Sequence, residues 1–222
     1  MMYPRITTIV IFLAYTGISV SQDTKYPFYL WDKKDSVLCH TFNDEINLTP
    51  SEKEILFLTN LARTKPSLFA DTYLKQYLDE NYSTQNSYTK GLYNQLQKMK
   101  SCSELTPEKS LSNMAYNHAL TTGKNGEVGH GNYEQRLKKH TSNKFMATAE
   151  NCSYGFNDPK MIFFQLLIDD QVPSLGHRIS ILNNAYQSIG ISIQVHKKYE
   201  FNCVMEFGST HGNTRKKKWF TF

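Results

Sequence analysis

Between Ile189 and Phe207 the chain changes rhythm. Ile189, Ile191, Ile193 and Val195 alternate with small or polar residues, and Tyr199, Phe201, Cys203, Met205 and Phe207 do the same. Successive residues of a strand point to opposite faces, so this period of two predicts two strands joined by a turn at His196-Lys197-Lys198. The residues before them repeat differently. Thr49-Pro50-Ser51-Glu52 reads as a capped helix start, with Ile55, Leu58, Leu61 and Ala62 at helical spacing and a break at Pro66. Residues 79–90 are polar and read as a surface loop. A second helix is expected to open at Thr106-Pro107, carrying Leu111, Met114, Ala115, His118 and Ala119 on one face. A third begins at Asp158-Pro159, and its body, Met161 to Ile168, is apolar on most sides, as in a helix placed inside a core. Helices first and paired strands last predict an α+β domain with helices packed on an antiparallel sheet.

Charge narrows the function classes. The formal net charge of +5 comes from 25 Lys and Arg against 20 Asp and Glu, and Arg215-Lys216-Lys217-Lys218 supplies four of those cations. The body is therefore near neutral, and a nucleic-acid face is not expected. Arg5, the apolar run Ile6 to Ala14, and the small residues Ser19 and Ser21 around Val20 describe a secretory leader. That run is shorter than the roughly 20 residues of a membrane span. The expected organisation is a leader (1–21), an extension or strapped arm (22–45), one domain (46–210) and a basic tail (211–222) on a secreted protein without a transmembrane segment. Cys39, Cys102, Cys152 and Cys203 contain no C-x-x-C pair, and outside the cell two disulfides are the expectation. The expected pairing is Cys39–Cys102 with Cys152–Cys203, although spacing does not choose among the three arrangements. N-x-S/T sequons at Asn47, Asn81 and Asn151 also suit a secreted glycoprotein.

Several attractive motifs have plainer readings. The glycines from Gly123 to Gly131 lack the G-K-S/T of a phosphate cradle. Ser174 lacks a nucleophile elbow, and His177 lies in the same loop. Cys152, beside Glu150, reads as a disulfide partner and not as a nucleophile. His118 reads as a packing histidine, and His40, His140, His196 and His211 as solvated ones.

The chemistry gathers in three words: Gly129-His130-Gly131, Ala149-Glu150-Asn151, and Asp169-Asp170-Gln171-Val172-Pro173-Ser174-Leu175-Gly176-His177-Arg178. Preceded by Asn60-Leu61-Ala62-Arg63 and followed by the Gly190 strand, they resemble the CAP superfamily of cysteine-rich secretory, antigen 5 and pathogenesis-related-1 proteins, closest to its bacterial and protist SCP type. The resemblance covers roughly residues 50–208. It implies an α-β-α sandwich with a cleft lined by two histidines and two acids that often hold a divalent metal. His130 matches the first histidine, Glu150 the first acid and His177 the second histidine. Asp169 and Asp170 are the candidates for the second acid. Gln171 stands where a glycine is expected, and Leu175 where an arginine is. Asn151 and Arg178 would support the cleft, Arg178 by pairing with Asp169 or Asp170.

Two imidazoles with carboxylates also form a donor set suited to zinc, copper or nickel on chemistry alone. His130, His177 and Glu150 would supply the three ligands of a catalytic zinc, leaving an aspartate as base. No H-E-x-x-H word fixes two histidines on one helix, however, and the alternative is imidazole–carboxylate pairs that stiffen a cleft without metal. Binding is therefore expected over turnover. A sterol or another lipid is the expected ligand, with the slot sought at residues 154–168. The alternatives are a secreted effector acting on an extracellular protein partner, and a metal-dependent peptidase.

Overall fold

The computed structural model describes residues 25–41 and 46–210. The expected leader, His211 and the basic run 215–218 lie outside the described residues. Among them, helices α1 (Lys33–Cys39), α2 (Pro50–Thr64), α3 (Pro66–Phe69), α4 (Lys75–Asn81), α5 (Ser87–Lys98), α6 (Lys109–Asn125), α7 (Tyr133–Thr141), α8 (Pro159–Ile168) and α9 (Gly176–Leu182) surround one sheet. Its strands β1 (Thr106–Pro107), β2 (Ala147–Tyr154), β3 (Ser188–His196) and β4 (Glu200–Ser209) lie in the order β1-β3-β4-β2. No helix is long and apolar enough to cross a membrane among the described residues.

The sheet is mixed where an antiparallel one is expected. β3 pairs antiparallel with β4, and β4 with β2, but β1 runs parallel to β3. Thr106-Pro107 does not open a helix: the Thr106 N–H donates to Gln187 O, and the Glu108 N–H to Ile189 O. Proline lacks a ladder donor and is tolerated at such an edge. Helix α6 starts two residues later, where the Glu108 carboxylate accepts from the N–H groups of Ser110 and Leu111.

Local signals elsewhere hold. Thr49 and Glu52 form the expected capping box on α2, and Asp158 caps α8 ahead of Pro159. The second Glu52 oxygen accepts from Ile193 N–H, tying α2 to the outer edge of β3. The 79–90 loop shrinks to residues 82–86, because Asn86 caps α5 by accepting from Tyr88 and Thr89 N–H. The β3–β4 hairpin turns at residues 197–199 and is closed by His196, whose Nδ1 accepts from Lys198 and Tyr199 N–H. His196 is therefore buried, not solvated, with Nε2 2.8 Å from Glu127 O.

Register decides what each face of the sheet carries. Glu150 lies opposite Glu206 and Cys152 opposite Val204, whereas Ala149 lies opposite Phe207 and Ser153 opposite Cys203. Odd-numbered residues of β2, β3 and β4 share one face, and even-numbered ones share the other. The odd face meets α2, α8 and α9 in the main core, where Phe69, Phe163 and Phe164 pack against one another. Helix α6 covers the even face through a small apolar contact of Ala115, Ala119 and Val204 with Cys152. It sits so close that a Cβ on Gly190 would lie 2.2 Å from the Leu111 carbonyl carbon, and one on Gly123 would lie 2.2 Å from Val195 O. The result is a three-layer α-β-α sandwich.

Two buried arginines fasten the odd side without a carboxylate partner. Arg63 of α2 donates to the carbonyls of Ser103, Ile181, Asn183 and Tyr186. Arg178 of α9 donates to those of Tyr88, Leu167 and Ile168, holding the C-terminal turn of α8. The described part of the N-terminal arm docks through Trp31 Nε1, which donates to Thr72 Oγ1 at 3.0 Å, and through a Lys65–Asp35 ion pair.

All four cysteines are free thiols, against the expected disulfides. For Cys152 and Cys203 the reason is parity: their side chains project to opposite faces of the sheet, one towards α6 and the other into the main core. A bridge needs Cβ atoms about 3.5–4.5 Å apart and pointing at each other. Cys39 Sγ lies 3.5 Å from Thr64 Oγ1, and Cys102 Sγ lies 3.6 Å from Leu182 O.

Candidate functional site

Strand β2 carries the centre of the site and lies at the edge of the sheet, paired only with β4. On its even face, Glu150 Oε1 lies 2.7 Å from His130 Nδ1, and the histidine comes from the loop between α6 and α7. Arg136 of α7 donates to both Glu150 oxygens, at 2.7 and 3.0 Å, and to Glu206 Oε1 at 3.1 Å. One guanidinium thus bridges two carboxyls that the β2–β4 register sets side by side.

The two acids divide their roles. Burial alone would raise the Glu150 carboxyl, but hydrogen bonds to His130, Glu206 and Arg136 more than offset it and hold the group far below the usual carboxylate range. Glu206 goes the other way: complete burial, followed by the neighbouring Glu150 charge, pushes it well above that range. Two adjacent carboxyls cannot both ionise cheaply in a dry site, so one keeps the proton. Glu206 keeps it.

His118 of α6 belongs here as well. It is buried, as the packing reading expects, but its Nε2 sits 2.9 Å from Gly129 O and 3.8 Å from Glu150 Oε1. Burial pushes its imidazole down. The Cys152 thiol faces Gly129 O at 3.9 Å and His130 Nδ1 at 3.8 Å. Burial, then the charges of Glu150 and Glu206, push that thiol well above its ordinary value. That is the opposite of an activated nucleophile.

The second pair lies beyond the odd face. Asp169 caps the end of α8 and receives three hydrogen bonds from the start of α9: His177 N–H at 3.0 Å, Arg178 N–H at 3.2 Å, and a 2.7 Å contact with His177 Nδ1. Asp169 is therefore the second acid. Asp170 accepts from Asn86 Nδ2. Arg178 approaches Asp169 only through its backbone, so the expected guanidinium–aspartate pair gives way to the carbonyl contacts described above. His177 lies in the first turn of α9 and not in a loop. Asn151 supports it by donating to His177 O at 3.0 Å. Asn151 is also 1% exposed, so its sequon is closed to glycosylation in the folded chain, while Asn47 and Asn81 are exposed.

The loop before α9 is backbone-strained. Asp169, Gln171 and Leu175 all have φ between 53° and 62°. Gln171 is where the family pattern leads one to expect glycine, and a left-handed residue is the reason glycine suits that position.

His130 and His177 thus stand on either side of the edge strand, each held through Nδ1 by its own acid. Carboxylates bonded to Nδ1 in this way fix the orientation of each ring. The expected four-ligand set nevertheless does not converge. Among the described residues, the grouping whose ligand atoms all fall within 4.8 Å of one another is His118, Glu150 and Cys152. What the geometry shows is two imidazole–carboxylate pairs, His130 with Glu150 and His177 with Asp169.

A cavity of about 370 Å³ opens beside the second pair. Tyr77, Tyr154, Phe156, Met161, Leu166 and Val172 line it together with Ser153 and Gln165, and Asp169, Asp170 and His177 form a polar end. Of residues 154–168, where a lipid slot is expected, Tyr154, Phe156, Met161, Gln165 and Leu166 line this cavity. Phe163 is fully buried in the core and lines nothing. Tyr77 contributes a neutral phenol, pushed up to about 12 chiefly by burial.

The family model of CAP, the cysteine-rich secretory protein family, matches residues 90–207. The chain belongs to the CAP family. All three words, both imidazole–carboxylate pairs and all but the last two residues of the β3–β4 hairpin fall inside the matched span. The solved structures similar to the chain are distant. An outer surface protein from Borrelia burgdorferi is 21% identical, with a TM-score of 0.42, over 49% of this chain and 79% of its own. An extracellular protein containing an SCP domain from Bacillus anthracis is 17% identical, with a TM-score of 0.44, over 74% of this chain and 45% of its own. A cysteine-rich secretory protein from Staphylococcus aureus is 21% identical, with a TM-score of 0.39, over 52% of this chain and 35% of its own. No curated protein matches the chain.

Sequence reasoning misses Arg136, Glu206 and His118 as site residues. Glu206 carries a signal: an acid between Met205 and Phe207, in a strand expected to lie against helices, needs a partner. Arg136 carries none, because only the fold brings α7 over β2.

Proposed function

We propose that this CAP domain is an extracellular binding module that takes an amphipathic lipid in the cavity between β2, α4 and α8. The observation that carries the reading is the cavity's division into an aromatic and thioether wall and a polar end made by Asp169, Asp170 and His177. An acyl chain or a sterol ring would lie along Phe156, Met161 and Leu166. A hydroxyl or charged head would meet the His177 imidazole, held in place by Asp169. The volume is at the lower end of small-molecule sites, roughly 300–1,000 Å³, and suits a single-tailed lipid or part of a larger one. The family's secretory character and the apolar leader pattern at residues 6–14 support an extracellular setting.

Binding is favoured over turnover on the chemistry of the groups present. The Cys152 thiol is held protonated, and Glu150 is committed to Arg136 and His130. The test is native mass spectrometry of the secreted protein after incubation with fatty acid or sterol vesicles. A lipid-sized adduct is expected that survives His130→Ala and disappears in Met161→Asp. No adduct with either lipid, or one indifferent to Met161→Asp, would overturn the reading.

A further inference from the structure

The even face holds a second, separate chemistry. His118 Nε2, Glu150 Oε1 and Cys152 Sγ lie within 4.8 Å of one another, beneath the Gly129 carbonyl. His130 Nδ1 flanks them, 2.7 Å from Glu150 Oε1 and 3.8 Å from Cys152 Sγ, and is the more exposed of the two imidazoles. Ligand atoms around one ion at bond lengths of about 2.0–2.3 Å must stand roughly 3–4 Å apart. The contacts at 3.8 Å already do so, and the His130 contact needs only a small opening.

We propose that His118, Glu150 and Cys152 form a binding site for a soft-to-borderline divalent cation, with zinc as the natural occupant and His130 as the fourth ligand at its mouth. This site differs from a metal shared by His130 and His177: its distinguishing donor is sulfur, and His177 has no part in it. One thiolate, two imidazoles and one carboxylate make a set that discriminates against magnesium and calcium, which take oxygen. Arg136 then acts from outside, bonding the carboxylate oxygen that the ion leaves free, as outer partners of metal ligands do. On binding, the Cys152 S–H proton passes to solvent as the metal–sulfur bond forms. The His118 proton moves to Nδ1 and the His130 proton to Nε2, so that the hydrogen bonds to Gly129 O and Glu150 Oε1 are exchanged for the metal. The proposal does not rest on lipid binding, which uses the other pair.

The test is cobalt(II) titration of the reduced, chelator-treated protein. One equivalent should bind with a thiolate-to-cobalt charge-transfer band and the intense visible bands of a tetrahedral ion, all removed by zinc. Cys152→Ser should abolish the charge-transfer band, and His118→Gln should weaken binding by about tenfold or more. His177→Ala should leave spectrum and affinity within about twofold, the difference expected of a residue outside the ligand shell. As a readout independent of any variant's folding, X-ray absorption of the zinc-loaded wild type should show one sulfur at about 2.3 Å with nitrogen or oxygen at about 2.0–2.1 Å. A shell of nitrogen and oxygen alone would overturn the assignment. So would a charge-transfer band that survives Cys152→Ser or is lost in His177→Ala.

Discussion

The two faces of the sheet are built from the same three strands and behave as different materials. The odd face places Ile189, Ile191, Cys203, Met205 and Phe207 against α2 and α8 and contains the bulk of the buried apolar surface. The even face places Glu150, Glu206, Cys152 and Asn202 under α6, beside a small apolar cluster of Ala115, Ala119 and Val204. Alternation lets one strand serve both purposes, because adjacent residues never share a face. The difference teaches where stability and chemistry are separated in this chain: apolar burial on one side holds flat a strand whose other side carries a buried ion cluster. Such a cluster stabilises little by itself, since desolvation consumes most of the Coulombic gain, but it is costly to break.

The comparison makes graded predictions. The largest effect should come from the odd face: Phe163→Ala removes a fully buried ring from the aromatic stack. That should cost about 4 kcal/mol in urea unfolding. A loss below about 1 kcal/mol would mean that the stack is loosely packed. On the even face, Arg136→Met leaves Glu150 buried beside Glu206 and the imidazoles with no cation bridging the two acids. The expected cost is about 3 kcal/mol. If the replacement is neutral, the guanidinium bridge is not holding the acid pair.

The acid pair itself gives a pH signature in the metal-free protein. Glu206 is raised, so the folded state holds a proton that the unfolded chain releases above its ordinary value of 4.5. Stability from this group is complete below that value and falls as pH rises towards the folded value, by at most about 1.4 kcal/mol per pH unit. Glu150 is depressed and acts in the opposite sense, its contribution being present above 4.5 and lost as pH falls below it. Glu206→Gln should therefore flatten the decline above about pH 5 and leave the acid limb in place, as read by melting temperature across pH. An unchanged profile would assign the retained proton elsewhere. The finest test separates two adjacent acids. Asp169→Asn breaks bonds to the start of α9. It should cost about 2 kcal/mol. Asp170 meets only the Asn86 side chain. Asp170→Asn should stay within about 0.5 kcal/mol. Equal costs would undo the assignment of Asp169 as the partner of His177.

What is legible in the sequence is local. The α2 capping box, the Asp158-Pro159 start of α8 and the β3–β4 hairpin are written in residues two to four apart, and all three form. β2 is not legible, because Ala149-Glu150-Asn151-Cys152 alternates a charge with an amide and lacks an apolar face of its own. Its strand character comes from pairing with β4. β1 hides behind a proline that reads equally as a helix start. His130, Glu150 and His177 follow from the family resemblance, but the contact of His177 with Asp169 and not Asp170, and the separation of the two pairs across β2, do not. That depends on register, which pattern alone fixes only where a face is plainly apolar. The same parity keeps Cys152 from Cys203, and no count of cysteines shows it.

Register is the claim on which both faces rest, and a slip of one residue would exchange them. The most direct measurement is a cysteine map of the purified protein: alkylation before and after unfolding without reductant, followed by peptide mass spectrometry. The structure predicts that Cys152 and Cys203 are never joined and that Cys203 reacts only after unfolding. A Cys152–Cys203 cross-linked peptide would contradict it, because that bond requires both side chains on one face of the sheet.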